Sequence, residues 1–195
     1  MPRTPAQFDQ IREESREKIL RTALRLFARR GFAAASVRMI AEEAGIAQGL
    51  LYNYYDGKHA LLRAIFERSM TDVRASFASA ARAASPRQAV ELLVRSAFEI
   101  VDEHRDFWQL SYQLRMQPQV LAGLAEESRR WTDEIRAQLE SVLRSAGVSD
   151  AAVQARVLFA AIDGAAQHFV LDPERYPLGD VADAIVRTFR PARRR

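Results

Sequence analysis

The tightest constraint on this chain lies between Ser36 and Leu62, in the run SVRMIAEEAGIAQGLLYNYYDGKHALL. Val37, Ile40, Ala41 and Ala44 recur on one helical face, and Ser36 stands where a hydroxyl caps a helix start. Ala44-Gly45-Ile46 then breaks the pattern, with Gly45 supplying the backbone freedom of a tight turn. A second short helix is expected over about Gln48 to Tyr54, bearing two of three closely spaced tyrosines, followed by Asp56-Gly57 and Lys58. Two short helices meeting at such a turn form a helix-turn-helix, over about residues 36–54. The second helix of that unit is built to enter the major groove of duplex DNA.

The rest of the chain also reads as helix. Ile19, Leu20, Ala23, Leu26 and Phe27 carry helical spacing, and Gly31 is a good stop. A long helix is expected over 58–83, with Leu61, Leu62, Ile65, Phe66, Met70, Val73 and Phe77 as its stripe. Ser85-Pro86 marks the next start, since proline suits a first turn. Further helices are predicted over 87–103, 105–116, 119–146, 150–171 and 179–190. No alternation of period two is long enough for a strand. The fold class is all-α.

Composition narrows the partners. The chain has 195 residues, 48% of them hydrophobic, enough to bury a core. Without cysteine there is neither a disulfide framework nor a thiolate metal site. Apolar runs fall far short of the ~20 residues that span a bilayer, and the opening MPRTPAQFDQIREESREK is too polar for a secretory signal. A cytoplasmic protein without a membrane partner is expected. Of the net charge of +4, the excess is concentrated in residues 1–58, which hold 10 basic and 7 acidic residues. That is where a phosphate-binding module would need it.

Residues 16–66 resemble the DNA-binding head of the tetracycline-repressor (TetR) family of bacterial transcription regulators. The resemblance rests on Ile19-Leu20-x-x-Ala23-x-x-Leu26-Phe27-x-x-x-Gly31-Phe32, on Ser36-Val37-Arg38-x-Ile40-Ala41-x-x-Ala44-Gly45-Ile46, and on Leu51-Tyr52-x-Tyr54-Tyr55-x-x-Lys58-x-x-Leu61-Leu62. It implies a nine-helix homodimer with a DNA-binding head over 1–62, including an N-terminal arm at 1–15. A helical ligand-binding and dimerisation body over 63–190 and a basic tail at 191–195 would follow.

Within the head, Gln48 either offers its amide to a base edge or is a solvated first-turn residue; the motif favours the base. Gly49 permits close approach to DNA. Leu50 replaces a small polar residue and would meet a thymine methyl. Tyr52 is expected on a phosphate, with core packing as the alternative, while Tyr54 divides evenly between the two. Tyr55 is assigned to the core. Asn53 faces outward toward a base, a phosphate or solvent. Lys58 matches a family phosphate clamp, Arg38 is placed for phosphate or base, and Ser36 serves as cap and phosphate donor. Ala47 departs from the family's frequent Ser or Thr and removes one cap. Arg3, Arg12 and Arg16 sit in an extended, partly helical lead-in diluted by Glu13, Glu14 and Glu17, and a solvated face is the simpler reading. Arg190, Arg193, Arg194 and Arg195 read as a solubilising tail.

The body carries two further expectations. Val153, Val157, Ala160, Ala161, Gly164 and His168 on one helix, with Val181, Ile185 and Phe189 on the next, read as a dimer interface forming a four-helix bundle. Intramolecular core is the alternative. Two-fold symmetry would imply a palindromic operator in double-stranded DNA. Phe66, Met70, Phe98, Phe107, Trp108, Tyr112, Met116 and Trp131, each of which taken singly reads as ordinary core, together form the candidate ligand pocket, with Asp163 and Gln167 as polar anchors. Arg95, Gln113, Arg115 and His168 are further anchors, and Phe77 also belongs to this aromatic supply. Asp163-Gly164, Gln167-His168 and Leu171-Asp172-Pro173 are similar to a subgroup responsive to acyl-CoA or other lipids; a drug-like effector is the other reading.

No enzyme is expected. G-x-S-x-G, Gly-rich phosphate loops and H-E-x-x-H are absent from the sequence, and His59, His104 and His168 lie far apart. No catalytic residues, metal ligands or cofactor are assigned. The expected function is a ligand-responsive homodimeric regulator, a repressor released by a small apolar or amphipathic effector. A helical scaffold without sequence-specific DNA binding is the alternative.

Overall fold

The computed structural model describes residues 5–117, 120 and 123–189. Among these residues the chain forms nine α-helices and no strand. They are α1 (Pro5–Arg30), α2 (Val37–Ala44), α3 (Gln48–Tyr52), α4 (Lys58–Ala80), α5 (Pro86–Glu103), α6 (Arg105–Arg115), α7 (Ala125–Ser145), α8 (Ala151–Leu171) and α9 (Leu178–Thr188). The expected all-α fold is therefore present.

Two compact units divide the chain. The first comprises Met1–Arg68 and Leu110–Gly123; the second comprises Ser69–Gln109 and Leu124–Arg195. Both α4 and α6 are continuous helices with residues in each unit. In the first unit, α1 packs on α2 and α2 on α3. Its core joins Ile19, Leu26 and Phe27 to Ile40, Leu51, Leu61, Leu62 and Leu114, all essentially removed from water. Burying such side chains stabilises by about 1.5–3 kcal/mol each before the entropic cost of ordering the chain. In the second unit, α7 and α8 form the most extensive helix pair, and α5 packs on α7, α8 and α9. Leu93, Phe98, Trp131, Leu143, Leu158 and Phe169 fill its interior.

Several boundaries differ from the sequence expectation. The extended lead-in is helical from Pro5, because proline suits the first turn and Gln10–Glu14 and Arg16–Glu13 pair along the helix surface. The second helix of the helix-turn-helix ends at Tyr52, not Tyr54. Asn53 and Tyr54 donate to the carbonyls of Leu50 and Leu51, three residues back, which tightens and ends the helix. Helix α4 ends at Ala80 and not at residue 83. Helix α7 starts at Ala125, where Glu126 and Glu127 suit a helix N-terminus, whereas the sequence pattern predicts one helix over 119–146. Residues 119, 121 and 122 lie outside the described residues, as do Arg3, Arg190, Arg193, Arg194 and Arg195.

Candidate nucleic-acid interface

The helix-turn-helix is built by two local devices. The Ser36 hydroxyl oxygen accepts from the Met39 N–H at 3.2 Å and caps α2. At the other end Gly45 sits in the left-handed region with φ 66°, where a Cβ would be strained. Its N–H donates to the Glu42 carbonyl, and the Ile46 N–H reaches back to the Ala41 carbonyl at 3.0 Å. This double closure, a Schellman motif, sets the angle at which the chain enters α3. Arg29 on α1 fixes α2 from the outside through Glu43, at 2.7 Å.

Helix α3 presents most of its surface to solvent. Leu51 is wholly buried and anchors it, while Gln48, Gly49, Leu50 and Asn53 are exposed and Tyr52 is 50% exposed. Gly49 has open space around it, so its backbone face is unobstructed. Ala47 leaves α3 without a side-chain cap, as its residue type requires. Tyr54 is half-buried. Tyr55 is core, at 6% exposure, with Arg16 over its ring at 5.8 Å, and burial pushes its phenol above the ordinary pKa. Arg38 is exposed beside this surface, its guanidinium paired with Glu42 at 2.7 Å. A phosphate would have to compete with that carboxylate.

Lys58, expected as a phosphate clamp, is engaged within the head itself. Its ammonium turns inward and donates to the carbonyls of Phe32, Ala33 and Ala35 at 2.9, 3.1 and 3.2 Å. It also lies 4.6 Å from the Phe32 ring centroid. Motif matching assigns the side chain to DNA by position; only the path of the α1–α2 loop shows where its protons go.

Residues 19–65 match the family model described as bacterial regulatory proteins, tetR family, and residues 84–192 match the tetracyclin repressor-like C-terminal domain. The chain belongs to the TetR family. That family consists of transcriptional regulators with a helix-turn-helix DNA-binding domain, which are not enzymes. The chain is 33% identical over 102 residues to the transcriptional repressor KstR2 of Rhodococcus jostii (strain RHA1), covering 51% of this chain and 50% of KstR2. The chain spans about a third to a half of the length of curated TetR relatives at this level of identity. Among solved structures, the fatty acid degradation regulator FadR from Bacillus halodurans has the same fold, with TM-score 0.76 at 17% identity over 97% of this chain and 96% of that one. FadR from Bacillus subtilis in complex with stearoyl-CoA superposes with TM-score 0.73 at 18% identity, over 89% and 96% of the two chains.

The TetR body residues fall out less simply. Met70, Phe98, Phe107, Trp131 and Asp163 belong to the second unit, the first four of them buried, and Trp108 stacks edge-on to Phe107 at 5.2 Å. Phe66, Tyr112 and Met116 belong to the first unit. Met116 is 83% exposed and Gln167 lies on the open face of α8, so neither lines an enclosed cavity; both are corrections to the expected pocket. Arg95 is likewise a surface residue, bridging Glu91 and Asp183 at 3.1 and 2.8 Å. Gln113 donates to the Ala28 carbonyl and Arg115 lies over the Tyr112 ring at 5.0 Å.

The expected dimer residues also divide. Val153 and Val157 are 57% and 49% exposed, Ala160 and His168 are exposed, and Ala161, Gly164 and Val181 are half-buried. Ile185 and Phe189, by contrast, are buried in the chain's own second unit. They are core: α9 packs on α5 and α8, and Phe189 directly follows it. Among the described residues no helix is long and apolar enough to cross a membrane, and no group of His, Asp or Glu is arranged to hold a metal ion.

Proposed function

We propose that this chain is a homodimeric, effector-responsive transcriptional repressor that binds a palindromic operator. The observation that carries the reading is the exposed face of α3, with Gln48, Gly49, Tyr52 and Asn53 held outward above the buried Leu51. A glutamine amide and an adjacent glycine suit a helix that meets base edges closely, while Tyr52 and Ser36 suit phosphate contacts that fix register.

Dimerisation is supported by the apolar stripe along α8. Val153, Val157, Ala160, Gly164 and Leu171 repeat at helical spacing, and Leu171 is 75% exposed. An isolated chain gains nothing by holding such a stripe in water, whereas a second copy covers it by two-fold symmetry.

The effector is an apolar or amphipathic small molecule, an acyl chain being the chemistry most in keeping with the aromatic-rich second unit. The stearoyl-CoA complex of Bacillus subtilis FadR supports that class at the level of fold. The effector must bind the non-DNA state more tightly, so effector and operator weaken each other reciprocally.

Selection of binding sites from a random duplex pool with the purified protein tests the reading. Enrichment of an inverted repeat is the expected result. A folded dimer that enriches no sequence would favour a helical scaffold. An acyl-CoA that binds yet leaves operator affinity unchanged would end the switch proposal.

A further inference from the structure

We infer that Lys58 is a positioning residue, an internal tie that holds the α1–α2 loop and through it the reading helix, in place of a direct phosphate contact. The inference deepens the DNA-binding reading above and rests on it. An ammonium has three N–H donors and no acceptor. At Lys58 all three find carbonyls, those of Phe32, Ala33 and Ala35, at 2.9, 3.1 and 3.2 Å. The Phe32 ring closes another side at 4.6 Å, and is itself wedged between Phe27 and His59 with ring centroids 5.0 Å away on each side. A side chain so engaged cannot reach a phosphate without releasing the loop.

The tie sits at a decisive place in the chain. Residues 32–35 lie beyond the end of α1, where helix carbonyls lose their ladder partners. Ala35 immediately precedes Ser36, the cap of α2, so fixing the Ala35 carbonyl fixes the plane from which α2 begins. Helix α2 leads through Gly45 directly into α3. One cation on the first turn of α4 therefore sets the start of the whole helix-turn-helix. Without the ammonium, three carbonyl dipoles of like orientation face one another with no proton between them. A guanidinium does not substitute, because its donors are spread over a planar fork and cannot converge from one atom.

Full-length wild-type protein, Lys58→Met and Lys58→Arg are compared in two measurements. The first is affinity for the selected duplex and for mixed-sequence duplex DNA across a salt series. The second is amide hydrogen exchange of the DNA-free protein over residues 32–38. The expected result is faster exchange over 32–38 in both variants and a loss of about tenfold or more in preference for the selected duplex, with the salt slope of Lys58→Arg and Lys58→Met unchanged from wild type. A phosphate contact predicts the reverse: Lys58→Met loses about one unit of salt slope, exchange stays at the wild-type rate, and Lys58→Arg restores binding. That pattern overturns the inference. If Lys58→Met does not fold, Lys58→Arg alone decides, since wild-type exchange and preference in it also overturn the tie. If wild-type protein shows no salt-dependent binding to either duplex, the DNA-binding reading fails, and the exchange data still judge the tie separately.

Discussion

Gln113 on α6 donates its side-chain amide to the main-chain carbonyl of Ala28, 3.2 Å away near the last turn of α1. Helix α1 ends two residues later, at Arg30, so this carbonyl is among those that a helix C-terminus leaves without an intrahelical donor. A residue 85 positions away in the sequence thus caps the helix that supports the helix-turn-helix.

Gln113→Leu keeps the volume and removes the donor. The Ala28 carbonyl, on a residue only 2% exposed, then lacks this partner, and a destabilisation of about 1–2 kcal/mol is expected. Urea unfolding measures it. A midpoint equal to wild type would show that water replaces the amide at no cost.

Ala47→Ser should supply the cap that α3 lacks. The residue already has an extended backbone, φ −65° and ψ 139°, compatible with a capping hydroxyl. A gain of about 0.5–1 kcal/mol is expected, which for a chain of this size raises Tm by roughly 1–4 °C. Thermal melts without DNA read this effect apart from any new phosphate bond.

Val157→Asp and Ile185→Asp separate the two faces that sequence pattern merges. Val157 is half exposed on α8, whereas Ile185 is buried on α9. Val157→Asp should yield a folded monomer in sedimentation, with helicity intact. Ile185→Asp should lose the fold itself, since an unpaired carboxylate inside the core costs several kcal/mol. A Val157→Asp variant that remains dimeric would move the interface elsewhere.

Acid should release one tie on α4. Arg74 holds both carboxylate oxygens of Glu134 at 2.7 and 3.0 Å, and this hydrogen bonding pulls the Glu134 pKa below its ordinary value. A carboxylate with a depressed folded pKa stabilises above its unfolded pKa and loses that contribution as pH falls through the folded one. The stability difference between wild type and Glu134→Gln should therefore be present above about pH 5 and shrink toward zero on acidification. Both groups are partly exposed, so it stays within about 1 kcal/mol. A difference that is flat from neutral to acid pH would remove the ion pair from the account.

Local chemistry made the head readable. Ser36, Gly45 and the periodic apolar face of α2 act within a few residues of their partners, so type and spacing suffice to place the cap, the turn and the inner face of α2. The internal hydrogen bonds of Lys58 and Gln113 are not legible in the sequence, because their acceptors are main-chain carbonyls 23–26 and 85 residues away, and a carbonyl carries no side-chain signature. The same limit applies in the body. Ile185 and Val157 look alike as β-branched residues on helix faces, and only packing on α5 and α8 decides that one is core. Met116 shows it most simply: a residue type common in pockets stands almost wholly in water at the end of α6. Cap chemistry also placed the start of α5, because Ser85 caps it and Pro86 opens it.

The five-residue α3 is far too short to be a stable helix alone, since nucleation dominates at that length. Its shape is lent by Leu51, the turn at Gly45 and the neighbouring α2, and not by the residues it displays. Folding information and address information are thereby stored at separate positions. On the DNA-binding reading proposed above, Gln48, Gly49 and Asn53 are an exchangeable label on a fixed mount, so new sequence preferences are open to this chain by substitutions that leave the core as it is.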